Sequence, residues 1–438
     1  MDNNKTQKID GYKKTTWLVH GPGKSGKWDF SHNVVPPMSC TTAYRVESLK
    51  RGARGFSEYG TPMSDKGDAP IYIYERMDEP IRSLLESDLA KMEGGEMAAT
   101  FSSGMAAISA GMGFLMKQGK EVIAHHTVYG CTHSLFTLWY PKMGFKVKRA
   151  DFSDLKAVKK AISKDTRILY FESPVNPTLE LIDIGELKKI ADAANAKRKP
   201  EDKVMIVIDN TFATPFCQRP IEHGADIVIH SLTKNLSGFG TEIGGAVICP
   251  KSMYTDLMMY RKDFGGVLNS KSAWTIKAYG LPTLPVRLRR QQHSAMKIAT
   301  WLENCDWTKE VRYPGLRSFK WRKIAEKQMI NFDGEFSPGQ MIYFKVDESR
   351  LDPAEFVDEI ARTSYAITLA VSLGHVKTLI EVPSCMTHSA YGDEGDKKES
   401  HGIRLSIGLE SPSDIMRDME NAMKAMIKKP TGRKTARR

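Results

Sequence analysis

From Pro80 the apolar positions Ile81, Leu84, Leu85, Leu89 and Met92 recur at steps of three and four, which draws one apolar face along a helix that Gly94-Gly95 ends. Ahead of it, residues 1 to about 80 are polar, rich in Gly, Pro and charge, and without periodicity, so they read as an extended arm. Behind it, "FSSGMAAISAGMGFLMKQG" opens a helix of small residues after Ser-Ser-Gly that closes at Gly119. Short apolar runs then alternate with helical stretches. "EVIAHH", "RILYFE", "VMIVID", "ADIVIH" and "GGAVIC" read as strands, and Ile184 to Ala196 reads as a helix. Strands that are apolar throughout and separated by helices predict a mainly parallel sheet covered on both faces.

Past this α/β region, "SAWTIKAYGLPTLPVRLRRQQHSAMKIATWLE" is long and helical despite two prolines. "MIYFKV", a helix around "DPAEFVDEIA" and "IRLSIGL" then predict a smaller α+β domain. The expected division is an arm at 1–79, an α/β domain at 80–270, an α+β domain at 271–427 and a basic tail at 428–438.

Composition narrows the class. Of 438 residues, 41% are hydrophobic and 26% charged, the balance of a soluble globular protein. With no apolar run of transmembrane length and no apolar leader in "MDNNKTQKIDGYKKTTW", a cytoplasmic address and no membrane partner are expected. The net charge is +12, and "KKPTGRKTARR" at the end holds six basic and no acidic residues, leaving 12 − 6 = +6 elsewhere. A basic terminus of this kind is read as a solvated tail, and nucleic acid is not expected as a partner. The six cysteines are scattered without a CxxC pair, so reduced thiols are expected and neither a disulfide framework nor a zinc knuckle. His125, His126 and His133 stand in no HExxH or Cys/His spacing, and no metal is expected.

Candidate chemistry collects at the carboxyl ends of the predicted strands, where open α/β sheets bind ligands. Asp209 ends "VMIVID"; Ser231, Thr233 and Lys234 follow "ADIVIH"; Gly104 and Met105 begin the small-residue helix. A helix N-terminus offers free N–H groups and a positive dipole end to a phosphate, with Ser103, Ser231 and Thr233 as further donors. Taken singly, Ser102 or Ser103 reads as an ordinary helix cap. A phosphate cradle, an amine and a buried carboxylate at one sheet edge together match pyridoxal 5′-phosphate. That cofactor needs a lysine for its Schiff base, an acid at its pyridine nitrogen and a clamp on its phosphate.

The stretches "YFESPVNPTLELIDI", "VIDNTFATPFCQRPIEHGADIVIHSLTKNLSG", "FSSGMAAI", "VSLGHVKTLIEVPSCMTHSAY" and "GIRLSIGLE" resemble the Cys/Met-metabolism, or trans-sulfuration, family of pyridoxal-phosphate enzymes. The likeness runs from about Tyr74 to Glu410. It implies fold type I, with Lys234 as the Schiff-base lysine, Asp209 as the pyridinium partner, and Gly104, Met105, Ser231 and Thr233 on the phosphate. "YER" resembles the family's Tyr-x-Arg element, which implies that Tyr74 and Arg76 reach the phosphate of a neighbouring subunit in a homotetramer built as a dimer of dimers. Tyr129, in "VYGCT", would stack on the cofactor ring and act as acid and base. Arg404 would take the α-carboxylate of a small amino-acid substrate, helped by Ser372 and Asn176.

The resemblance further implies γ-elimination or γ-replacement on a sulfur amino acid, two reactions that share their early steps. Cys131, placed beside the substrate, and Val371 resemble the methionine γ-lyase branch, whose products are 2-oxobutyrate, ammonia and a thiol. Cystathionine γ-lyase, cystathionine γ-synthase and O-acetylhomoserine sulfhydrylase are the alternatives within the family. Outside it stands a non-catalytic binding protein with a vestigial cofactor fold. Three departures bear on the substrate: "MDEP" in place of the usual Asn-Pro stretch, "GFGTE" in place of a His- and Asp-containing loop, and an added segment at residues 57–72.

Overall fold

A computed structural model describes residues 11–20, 34–62, 71–386 and 401–427. The basic tail, part of the 57–72 segment and the "THSAY" end of one family stretch lie outside them.

The first 79 residues are not extended throughout. Helix α1 (Lys14–His20) buries Trp17 and Leu18 in the main core, and α2 (Leu49–Ser57) is capped by the Ser48 hydroxyl. Both are short, and α1 is anchored by two large apolar side chains that a search for long periodic runs passes over.

Helix α3 (Pro80–Glu93) starts where expected, for a clear reason. Glu79 is its N-cap, and its carboxylate accepts from the N–H groups of Ile81 at 2.9 Å and Arg82 at 2.7 Å, with Pro80 in the first turn. The "MDEP" departure therefore builds a helix start. At the other end Gly94 takes φ 76°, the left-handed geometry of a helix stop. Helix α4 (Gly104–Gly113) also starts as expected but ends six residues before Gly119, where Gly113 lies against the Tyr260 ring.

Seven strands form the larger sheet: β1 (Met97–Phe101), β2 (Glu121–His125), β3 (Lys146–Ala150), β4 (Thr166–Glu172), β5 (Met205–Asp209), β6 (Ile227–Ser231) and β7 (Gly245–Cys249). Their order is β1-β7-β6-β5-β4-β2-β3, with β7 antiparallel to both its neighbours and the rest parallel. The five apolar runs are β2, β4, β5, β6 and β7. The two strands not foreseen, β1 and β3, are the sheet's edges, and β3 ("KVKRA") is too polar and exposed to stand out as apolar.

Ile206, Val207 and Ile208 in the middle of β5 are fully buried, each contributing about 1.5–3 kcal/mol of burial. The apolar filling thus lies along the strands, and polar groups gather at their carboxyl ends.

A second sheet, of order β10-β11-β12-β9-β8, comprises β8 (Thr308–Arg312), β9 (Met341–Val346), β10 (Ile367–Leu369), β11 (Thr378–Glu381) and β12 (Ile403–Ser406). The long helical stretch 270–303 links the two sheets; Pro282 falls in the first turn of the helix Leu281–Glu303, Pro285 lies inside that helix, and a π-turn at Ile276–Gly280 precedes both. There a Cβ on Gly280 would lie 2.2 Å from the Leu236 carbonyl, so only glycine lets this helix press on the segment that follows Lys234. Among the described residues no helix is long and apolar enough to cross a membrane.

Candidate active site

The carboxyl ends of β4, β5 and β6 lie side by side, with Glu172 in register with Asp209 and Asp209 with Ile229. The Asp209 carboxylate accepts the Thr211 N–H at 2.9 Å, and the Thr211 hydroxyl in turn accepts the Ser231 N–H at 2.8 Å. Burial pushes the Asp209 carboxyl up from its usual range, against the pull of the Thr211 hydrogen bonds. An anion there gains from a cationic partner.

The N-terminus of α4 meets this edge closely. A Cβ on Gly104 would stand 2.9 Å from both Cβ and Oγ of Ser231, so the glycine lets the helix end approach the strand end. The Ser103 hydroxyl caps α4 through Ala106 N–H at 3.1 Å, the plain reading of that serine. Thr233 Oγ1 accepts the Gly244 N–H at 3.1 Å, and Met105 Sδ lies 3.9 Å from the Thr132 hydroxyl.

Lys234 Nζ donates to Ser372 Oγ at 2.7 Å, a neutral acceptor. Burial, followed by the nearby Arg404 cation, brings the amine down to about 8, with the Glu381 carboxylate acting in the opposite sense. Ser372 itself has φ 90°, unusual for a residue with a side chain, and its carbonyl accepts from Arg404 Nη2 at 2.8 Å. Arg404 Nη1 donates to Asn176 Oδ1 at 2.9 Å, and Nη2 pairs with Glu381 Oε1 at 2.9 Å. Lys234, Ser372, Arg404 and Asn176 thus form one connected group drawn from both sheets and the loop after β4.

Tyr129 precedes α5 (Gly130–Ser134), and its N–H donates to Glu172 Oε1 at 2.5 Å. Its phenol is pushed up to about 12, by burial first and then by Cys131, whose Sγ lies 3.6 Å from the phenol oxygen. Tyr74 and Arg76 stand apart: the Arg76 guanidinium lies 5.6 Å from the Tyr74 ring centre and donates to the Lys262 carbonyl, and Tyr74 is 43% exposed.

The "GFGTE" departure has a visible place. Gly238 and Gly240 both take left-handed φ, and a Cβ on Gly240 would fall 2.3 Å from the His375 ring, three residues beyond Ser372. Ser272 donates to Glu242 Oε2 at 2.5 Å.

Two buried acids were not anticipated as site residues, Glu172 and Glu381. Both lie in quoted family stretches and end apolar runs, which was the available signal; their partners come from neighbouring strands, which a linear reading does not show. His125, His126 and Asp151 have potential ligand atoms within 4.8 Å of one another. His125 Nδ1 accepts the Phe152 N–H at 3.2 Å, so the ring proton sits on Nε2 and the ring has no free lone pair for a metal.

The donor set fits pyridoxal phosphate. A glycine-lined helix end beside hydroxyls suits the phosphate, an amine held by a neutral hydroxyl suits the aldehyde, and a carboxylate in need of a cation suits the ring nitrogen.

Comparison with known proteins agrees. The sequence pattern described as Cys/Met metabolism PLP-dependent enzyme matches residues 15–424. An L-methionine gamma-lyase of Pseudomonas deceptionensis is 36% identical over 399 residues, 90% of this chain and 93% of that protein. A cystathionine beta-lyase of Lactococcus lactis subsp. cremoris is 37% identical over 82% of this chain and 90% of its own length. The solved structure of cystathionine gamma-lyase from Lactobacillus plantarum complexed with L-serine superimposes with TM-score 0.80 at 30% identity, covering 95% of this chain and 99% of that one.

Proposed function

We propose that this chain, which belongs to the Cys/Met metabolism family of PLP-dependent enzymes, is a carbon–sulfur lyase that removes the γ-substituent of methionine. With one water, methionine would give 2-oxobutyrate, ammonia and methanethiol. The observation that carries the reading is Lys234, an amine lowered to about 8 and held by a neutral hydroxyl at the sheet edge that also bears Asp209 and the α4 N-terminus.

Bound pyridoxal phosphate supplies an electron-withdrawing ring that stores the electrons released at Cα. In this reading Lys234 would hold the cofactor through its amine and, as a free amine, would move the Cα proton. Asp209 stays ionised opposite the ring nitrogen. Gly104, Met105, Ser231 and Thr233 hold the phosphate, and Tyr74 and Arg76 complete that clamp from a neighbouring subunit. Their exposure supports a role outside their own protomer.

Arg404 orients the substrate by its α-carboxylate, with Asn176 and Ser372 fixing the guanidinium. Tyr129 covers the ring and donates a proton to the departing sulfur; a phenol at about 12 keeps that proton at neutral pH. Cys131, beside the Tyr129 hydroxyl, lines the side-chain end of the pocket. The two sheets support a cofactor domain at 80–270 and a smaller domain at 271–427; a clamp completed by Tyr74 and Arg76 of a neighbour requires at least a dimer, and a homotetramer in the cytoplasm is the assembly and address of this reading.

The second reading is action on cystathionine or γ-replacement on an activated homoserine, favoured by the cystathionine lyases among the relatives. A product assay decides. Methionine, cystathionine, and O-acetylhomoserine with sulfide are each scored for 2-oxobutyrate, thiol, and cysteine or homocysteine. Methanethiol with 2-oxobutyrate from methionine is expected; turnover of cystathionine alone would replace this reading with the second.

A further inference from the structure

Glu172 and Asp209 end neighbouring parallel strands in register, so two carboxylates share the sheet edge beside the proposed ring nitrogen. Glu172 is 5% exposed, and among the described residues no cation pairs with it. It accepts two backbone N–H groups: Tyr129, at 2.5 Å, and Asn176. One acid thus holds the loop bearing the ring-covering tyrosine and the loop bearing the partner of Arg404.

Two adjacent buried carboxylates do not both ionise at neutral pH, because each anion raises the cost of the other. The groups facing them decide which one keeps the proton. Asp209 is stabilised as an anion by the Thr211 N–H and hydroxyl and by His230 on β6. Around Glu172 stand Asp209 from β5, the buried Tyr170 hydroxyl on its own strand and the Tyr129 phenol, none of them cationic; the Tyr129 and Asn176 N–H groups favour its anion but are outweighed by burial and by Asp209. Burial, then Asp209, pushes Glu172 up to about 8.

We propose that Glu172 is a positioning residue that keeps its proton beside an ionised Asp209, so that the edge carries one negative charge while Glu172 anchors the Tyr129 and Asn176 loops. The inference rests on the reading of Asp209 as the partner of the ring cation. One anion then meets one cation, and the anchor for Tyr129 is a neutral acceptor.

The test compares wild type with Glu172→Gln, the isosteric neutral side chain, with and without cofactor. Infrared difference spectra at pH 7 are expected to show a protonated-carboxyl C=O band lost in the variant. In cofactor-free wild type that band should fade as pH rises through about 8. Glu172→Gln should hold cofactor within about threefold of wild type, whereas Glu172→Ala, which leaves two buried N–H groups without their acceptor, should loosen it about tenfold or more. Loss of ionised-carboxylate bands in place of the acid band overturns the proposal, and so does a loosening in Glu172→Gln as large as in Glu172→Ala. Unchanged cofactor affinity in Asp209→Asn would instead sink the Asp209 assignment, an outcome on which the Glu172 bands do not depend.

Discussion

Glu381 and Arg404 face each other across β11 and β12, Nη2 to Oε1 at 2.9 Å, with 1% and 3% of their side chains exposed. The pair holds the guanidinium from behind while Asn176 and the Ser372 carbonyl hold it from the sides. Removing the arginine takes the ion partner from a buried carboxylate, so Arg404→Ala should cost about 3–5 kcal/mol of stability by urea unfolding. Arg404→Lys keeps a charge without the fork and should chiefly raise KM. Equal stability of Arg404→Ala and wild type would show that the pair is not buried in solution.

Lys234 reacts as the neutral amine, and with its value at about 8 the covalent loading of cofactor-free protein should speed up about tenfold per pH unit below that point and level off above it. Glu381 favours the protonated amine, so Glu381→Gln should move the midpoint to lower pH. Stopped-flow absorbance of cofactor uptake measures both. A wild-type midpoint near the ordinary lysine value would contradict the assignment.

Gly104 has no room for a side chain, with Ser231 Cβ and Oγ both 2.9 Å from where a Cβ would stand. Gly104→Ala should therefore separate the α4 N-terminus from β6 and raise the cofactor dissociation constant about tenfold, from overpacking of about 1–3 kcal/mol. Absorbance titration of the cofactor-free protein reads it, and unchanged affinity would remove the phosphate from this corner.

Tyr74 and Arg76 serve a neighbouring subunit in the proposed reading. Arg76→Ala and Lys234→Ala proteins, each inactive or nearly so, should regain turnover when refolded together, because some sites then combine an intact lysine with an intact arginine. Mixtures no more active than their components would place these residues outside a shared site.

Much of the fold was legible in the chain. The largely buried strands β2 and β4 to β7 read directly as apolar runs, and α3 announced itself by Pro80 and Gly94. The edge β3 did not, being polar and partly exposed, nor did β1, a short buried strand of mostly small residues just ahead of α4, and the end of α4 was set by packing on Tyr260. In the site, Asp209, Ser231, Thr233 and Lys234 fall within one continuous stretch and could be read from it. The partners of Glu172 and Glu381 could not, because each acid matters through a residue on another strand or loop: Asp209 and Tyr129 for one, Arg404 for the other.

By itself the sequence determined which groups are present and where α3, α4 and the apolar strands begin, because periodicity, capping and small residues act over a few neighbouring positions. Only the tertiary structure decided which charges share a buried space. That choice lowers the Lys234 amine, raises the Glu172 carboxyl and pairs Arg404 with Glu381, since desolvation and Coulomb interaction depend on distance through space.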